Sequence, residues 1–159
     1  MVTLRPLTPD DLDLVARHRE EMFRTSRGDI PQLGQMREPF RAWLKPRLDD
    51  GRYFGWAAEE AGRVVGGIGM MVLDWPPHPV HPKDCRRGYI LNVYVEPDRR
   101  KHGIATALMK ACEAEARRRS LAFAILHPTK QARSIYERLG WQDMAELGYS
   151  YADNPPGEG

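Results

Sequence analysis

Gly88-Tyr-Ile-Leu-Asn-Val-Tyr-Val-Glu-Pro-Asp-Arg-Arg-Lys-His-Gly103 passes from one kind of chain to another partway along its length. Its first half, Gly88 to Val95, is β-branched and aromatic and is bounded by Pro97, so it reads as a buried strand. Its second half is basic and closes on a glycine. Beyond it, Ile104, Ala105, Leu108, Cys112 and Ala116 recur at helical spacing, and Arg117-Arg118-Arg119 puts positive charge where a helix dipole ends. Leu121-Ala-Phe-Ala-Ile-Leu126 is a second apolar strand. A strand, a helix and a strand joined in this way require a parallel pair with a right-handed crossover.

The flanking sequence supplies the other elements. Val2-Thr-Leu-Arg-Pro-Leu7 alternates like a short edge strand. Thr8-Pro9-Asp10-Asp11 then offers an N-cap, a proline at the first helical position and an acidic first turn, and Leu12, Val15, Ala16 and Phe23 carry an apolar face to about Arg24. Residues 26–37 hold Gly28, Pro31 and Gly34 without a clear period, and Pro39 to Leu48 reads as a second, shorter helix interrupted or kinked at Pro46. Tyr53–Ala58 and Arg63–Leu73 form a hairpin around Glu59-Glu60-Ala61-Gly62, and Gly66, Gly67 and Gly69 mark a bulge, a bend or a close backbone approach. Trp75-Pro-Pro-His-Pro-Val-His-Pro82 is too rich in proline for a helix or a central strand and reads as a surface loop. Thr129 caps a helix ending at Leu139-Gly140, and Trp141 to Tyr151 supplies a final strand or strand pair. The order is βααβββαβαβ, an α+β domain with a mixed sheet. Residues 1–152 form a single domain, and 153–159, lacking apolar anchors, form a flexible tail.

At 159 residues, 42% of them hydrophobic, the chain holds one core large enough to need neither disulfides nor a structural metal. A net charge of +2 is far from the excess that marks a nucleic-acid or membrane binder, and Arg86-Arg87 and Arg117-Arg118-Arg119 lack interleaved aromatics, so both runs read as solvated faces. Cys85 and Cys112 are too far apart to suggest a disulfide framework and read as reduced thiols. Neither a signal peptide nor a membrane span is visible, so a cytoplasmic location is expected. His78-x-x-His81-x-x-x-Cys85 holds metal-type ligands but offers no firm fourth, and no metal is expected.

The chemistry concentrates in Val95-Glu-Pro-Asp-Arg-Arg100-Lys-His-Gly103-Ile-Ala105. A helix start exposes unpaired N–H groups and partial positive charge, and a glycine there lets a bound anion approach the backbone, so a pyrophosphate fits. Neither the dinucleotide-fold nor the Walker glycine pattern is present. Arg100, Gly103 and Ala105 match the R/Q-x-x-G-x-G/A turn, and Ala132, Tyr136 and Gly140, with Trp141 for Phe, match the A-x-x-x-Y-x-x-x-G-F segment, of the GNAT acetyltransferase superfamily. Together with the opening L-R-P-x-T-P-x-D, the Gly62 to Gly66 strand and the V-x-P-x-x-R junction, the chain resembles that superfamily over most of its length.

The resemblance implies a mixed, mostly antiparallel central sheet with helices on both faces. Acetyl-CoA would be the co-substrate, its pantetheine arm against Val93, Tyr94 and Val95 and its pyrophosphate against Arg100, Lys101, His102, Gly103, Ile104, Ala105 and Thr106, with Thr129 and Tyr136 completing the site. Tyr136 would protonate the departing thiolate. Asn92, polar in an apolar strand, could orient an amine or acetyl oxygen or simply satisfy buried backbone groups.

The chain departs from the superfamily at the base. Thr129 stands where many relatives have Asn, and Ala124 and Tyr89 stand where others have Glu. Glu96, Glu38, Asp84, His78, His81, His127 and water remain as candidates. The expected activity is transfer of an acetyl group to a primary amine of a small metabolite, by direct attack in a ternary complex. Protein N-terminal or lysine acetylation, or a non-catalytic acyl-CoA sensor, are the alternatives. The partners expected are a small-molecule amine and a second copy in a homodimer, with no nucleic acid and no membrane. Segments 26–50 and 74–88 are expected to shape the pocket.

Overall fold

The computed structural model describes residues 1–146. Five strands, β1 (Thr3–Pro6), β2 (Tyr53–Glu60), β3 (Arg63–Asp74), β4 (Arg86–Val95) and β5 (Ala124–Leu126), lie side by side in chain order. The first three pairings are antiparallel and β4 pairs with β5 in parallel, as the crossover required. Helices α1 (Leu12–Arg27) and α2 (Pro31–Asp49) cover one face, where Val15, Ala16, Phe40, Leu44 and Leu48 pack with Tyr53. Helix α3 (Ile104–Arg118) and the short α4 (Arg133–Arg138) cover the other, where Ile104, Leu108, Met109, Cys112 and Tyr136 pack on Val65, Met70 and Ile90.

Several boundaries differ from the sequence reading. Pro9–Asp11 form a 3-10 turn before α1, fixed where the Asp11 carboxylate accepts the Thr8 N–H at 2.8 Å and both Arg5 terminal nitrogens at 2.9 Å. α1 runs on to Arg27 and stops at Gly28, whose φ of 79° no side chain adopts cheaply. The second helix is continuous over Pro31–Asp49, longer than expected and unbroken at Pro46. Pro31 begins it, and Phe40, Leu44 and Leu48 bury one stripe that offsets the hydrogen bonds lost at Pro39 and Pro46. β5 keeps only three of the six expected residues, because Leu121 donates its N–H to Ala116 and so closes the end of α3. Within Trp141–Glu146 there is no strand: the Trp141 N–H returns to the Tyr136 carbonyl at 3.0 Å and its indole to Glu113. The rest of the expected final strand and the tail 153–159 lie outside the described residues.

The glycines of β3 do mark an irregularity, but the extra residue belongs to β4. Gly67 faces Tyr94 and Gly69 faces Leu91, so three steps of β4 oppose two of β3 and Asn92 takes a φ of 56°. The glycines give room: a Cβ at Gly69 would lie 1.9 Å from the Tyr53 hydroxyl, and one at Gly67 would lie 2.8 Å from His18 Nδ1.

Candidate active site

β4 pairs with β5 only from Gly88 to Ile90, so Leu91 to Val95 present an edge without a strand beside it among the described residues. The chain then turns through Pro97–Arg99, where Arg100 folds its side chain back so that Nε donates to the Val95 carbonyl at 3.0 Å. Lys101 and Gly103 adopt φ of 64° and 77°, and α3 starts at Ile104. The backbone N–H groups of residues 101–106 have no hydrogen-bond partner among the described residues, while Ala107 already donates to the Gly103 carbonyl. Nothing lies within 4 Å of a Cβ placed on Gly103, so the turn is open to solvent. The edge and this bare cradle are continuous.

Tyr136 is 6% exposed and belongs to the same apolar cluster as Val93, Val95, Ile104 and Leu126, so the fold gathers it with the strand edge and the helix start. Burial pushes its phenol up to about 12, which keeps the proton on at neutral pH. Thr129 uses its hydroxyl and carbonyl to accept the Ala132 N–H, making the turn into α4 rather than directly capping a helix that now begins at Arg133.

Beside the edge, on the α1–α2 face, lies a cavity of about 420 Å³ lined by Met36, Pro39, Phe40, Trp43, Met71, Leu73, Tyr89, Leu91 and Arg19. Its wall is apolar except for Arg19 and the Tyr89 hydroxyl. Arg19 comes from the middle of α1, its guanidinium 4.9 Å from both the Phe23 and Phe40 ring centres. One terminal nitrogen donates to Asn92 Oδ1 at 2.8 Å, and Asn92 Nδ2 donates to the buried Tyr53 hydroxyl at 2.8 Å. The Asn92 amide is thus occupied behind Arg19 and does not form the cavity wall.

Sequence reasoning missed Arg19, although a signal was there: it falls on the same stripe as Leu12, Val15, Ala16 and Phe23, where a charge is out of place. It also missed His18, 2% exposed, tilted against Tyr94 with ring centres 4.8 Å apart. Its Nε2 is buried without a partner, and burial, helped by the charge of Arg17, pushes its pKa down to about 4. The expected loop 74–88 does not line this cavity. Asp84 accepts the Ala122 N–H and Arg86 reaches the Arg119 and Ser120 carbonyls, which turns the loop toward the junction of α3 and β5. Arg87 is not a solvated face either: it is 2% exposed, stacked between Trp75 and Phe123, with Nε donating to His81 Nε2.

Among the described residues no carboxylate or imidazole lines the cavity. Glu96 holds Arg17 and accepts the Tyr94 hydroxyl; burial opposes its ionisation, but these bonds prevail and keep its carboxyl below the usual range. Asp84 is held low by the Arg86 guanidinium. His81 has both ring nitrogens engaged, by the Asp84 carbonyl and by Arg87. Burial pushes the Cys112 thiol up to about 12, so it is no nucleophile, and Cys85 is exposed in the loop. Among the described residues no group of three or more His, Cys, Asp or Glu is placed to hold a metal ion, and no helix is long and apolar enough to cross a membrane.

Residues 3–144 match the family described as acetyltransferase (GNAT) domain. Among solved structures, a GCN5-related N-acetyltransferase from Ralstonia eutropha is 51% identical, with 96% of this chain and 99% of that one covered and a TM-score of 0.93. A predicted acetyltransferase from Clostridium acetobutylicum, crystallised with acetyl-CoA, is 27% identical over 96% of this chain and 98% of that one, with a TM-score of 0.87. An aminoglycoside acetyltransferase from an uncultured soil metagenomic sample shares the fold at 21% identity, covering 94% and 97% of the two chains with a TM-score of 0.70. Among curated proteins none matches the chain.

Proposed function

The chain belongs to the GNAT acetyltransferase family, and from that membership we propose that it transfers the acetyl group of acetyl-CoA to a primary amine of a small metabolite by direct attack in a ternary complex. The observation that carries this reading is the run of bare N–H groups at residues 101–106, continuous with the unpaired edge of β4 and adjoining the 420 Å³ cavity.

Such a row suits the fit of a diphosphate, because a helix N-terminus supplies both donors and partial positive charge. Arg100, Lys101, His102, Gly103, Ile104, Ala105 and Thr106 hold it, and the main chain at Val93, Tyr94 and Val95 pairs with an amide-bearing arm as it would with a neighbouring strand. Thr129, at the turn into α4, completes the donor side of the site. Acetyl-CoA supplies an activated thioester. The protein's part is to position it and to stabilise the thiolate that departs.

Tyr136 serves as the donor to that sulfur. Against a thiol of ordinary acidity, roughly 8.5, a phenol at about 12 favours keeping its proton, so its contribution is a hydrogen bond that strengthens as negative charge develops. The attacking amine must be neutral, and with no base lining the cavity among the described residues its proton passes to water. Asn92 acts on the acceptor through Arg19, whose guanidinium it orients.

The test is release of free thiol from acetyl-CoA across a panel of amines, with calorimetry for acetyl-CoA alone. Thiol release that depends on an amine supports the enzyme. Tight binding without turnover supports a sensor, and no binding by folded protein ends the reading.

A further inference from the structure

Among the described residues Arg19 is the one formal charge in an apolar wall, and it has been made rigid. Phe23 and Phe40 flank its guanidinium, Asn92 takes one terminal nitrogen, and the Tyr53 hydroxyl fixes Asn92 from behind. Its Nε is buried with no hydrogen-bond partner, and no carboxylate pairs with it among the described residues. Four other arginines of the same pair of helices meet a carboxylate: Arg24 and Arg37 meet Glu20, Arg41 meets Asp13 and Arg17 meets Glu96. An unpaired cation in an apolar pocket lowers stability, because neither water nor a counter-ion compensates the lost hydration. A planar guanidinium held in this way keeps its remaining terminal N–H groups to grip a carboxylate by charge-assisted hydrogen bonds.

We infer that the acceptor is an apolar amino acid: its carboxylate pairs with Arg19, its side chain fills the space among Met36, Phe40, Trp43 and Met71, and its α-amine faces the edge of β4 at Leu91. The volume of about 420 Å³ is that of a small-molecule site, and the thioethers and stacked rings of its wall favour a bulky aliphatic or aromatic group. Among the described residues no acidic side chain lines the cavity, so a basic or polycationic amine finds there neither a partner for its second charge nor relief from the repulsion of Arg19. The inference rests on the acetyl-transfer reading and narrows it to one acceptor class.

The experiment measures thiol release from acetyl-CoA with three acceptors of one shape: phenylalanine, phenylalaninamide and phenethylamine, alongside leucine, methionine and lysine. The apolar amino acids are expected to show kcat/KM at least about 30-fold above the amide, the amine and lysine, the value of one charge-assisted pair. Arg19→Gln should raise KM for phenylalanine by a similar factor and change that of the amide far less, so that the preference for a carboxylate collapses. Arg19→Lys should recover part of it. Amide and amine acetylated as well as the acid overturn the inference while leaving acetyl transfer intact. Acetyl-CoA bound with no acceptor turned over removes the small-amine reading and the inference together. If Arg19→Gln does not fold, the wild-type panel by itself decides between these outcomes.

Discussion

The two halves of the candidate site are built from different material. The side proposed for the acyl donor is almost entirely main chain: a strand edge from Leu91 to Val95, then N–H groups from Lys101 to Thr106 around a glycine at φ 77°. The acceptor side is entirely side chain, drawn from α1, α2, β3 and β4. A backbone site constrains few residues, yet those few must be glycine or small and must be spaced correctly. A cavity wall constrains only shape and polarity, which many residue sets satisfy. The first is therefore suited to one co-substrate held in common, and the second can vary from chain to chain without disturbing the fold.

The seam between the halves is the β3–β4 irregularity, and His18 packed there gives the largest expected effect. Its pKa is about 4 folded against about 6.5 unfolded, so the unfolded state takes up the proton first as pH falls. The native state is therefore penalised progressively below pH 6.5, by about 3 kcal/mol at pH 4, and is free of the penalty above pH 7. Denaturant unfolding of wild type and His18→Leu from pH 7 to 4 isolates it, because the carboxylates common to both cancel. Parallel curves would show that the imidazole is not buried as described.

Tyr136→Phe tests where the halves meet. It should lower kcat by about 100-fold with acetyl-CoA affinity within about twofold, the range for loss of one hydrogen-bond donor to a developing anion. Unchanged turnover would remove Tyr136 from the reaction and leave it a core residue. Gly103→Val separates site from fold on the donor side. Acetyl-CoA affinity should drop about 30-fold, through displaced N–H donors, while left-handed strain costs about 1–2 kcal/mol of stability. Unchanged acetyl-CoA affinity of the folded variant beside that loss of stability would make the glycine purely structural. The smallest effect is on the acceptor side, where Trp43→Ala should raise acceptor KM about tenfold and leave acetyl-CoA affinity unchanged, since it removes part of one wall. A matching loss of acetyl-CoA affinity would mean that the two halves are one site.

This contrast also explains what could be read from the chain beforehand. The strand, basic turn and helix from Gly88 to Ala116 were legible because apolar periodicity, a proline and a glycine each leave a local trace. The parallel pairing of β4 and β5 followed from connectivity alone. Pro39 and Pro46 misled, since their local cost is visible in sequence whereas the burial of Phe40, Leu44 and Leu48 against α1 and β2, which offsets it, is not. Trp141–Glu146 misled for a related reason, its backbone being engaged by the Tyr136 carbonyl instead of a sheet.

The amino-acid order carried the sequence of elements and the glycine turn before α3, because periodicity, prolines and glycines leave their traces between residues near one another along the chain. The extra residue at Asn92, the burial of His18 and the isolation of Arg19 in an apolar wall came only from the folded molecule. Each depends on which surfaces meet across separate elements: Arg19 is 73 positions from Asn92, and Asn92 is 39 from Tyr53. Charge and polarity at those positions are ordinary in sequence. They acquire chemical meaning when packing removes the water that would otherwise neutralise them.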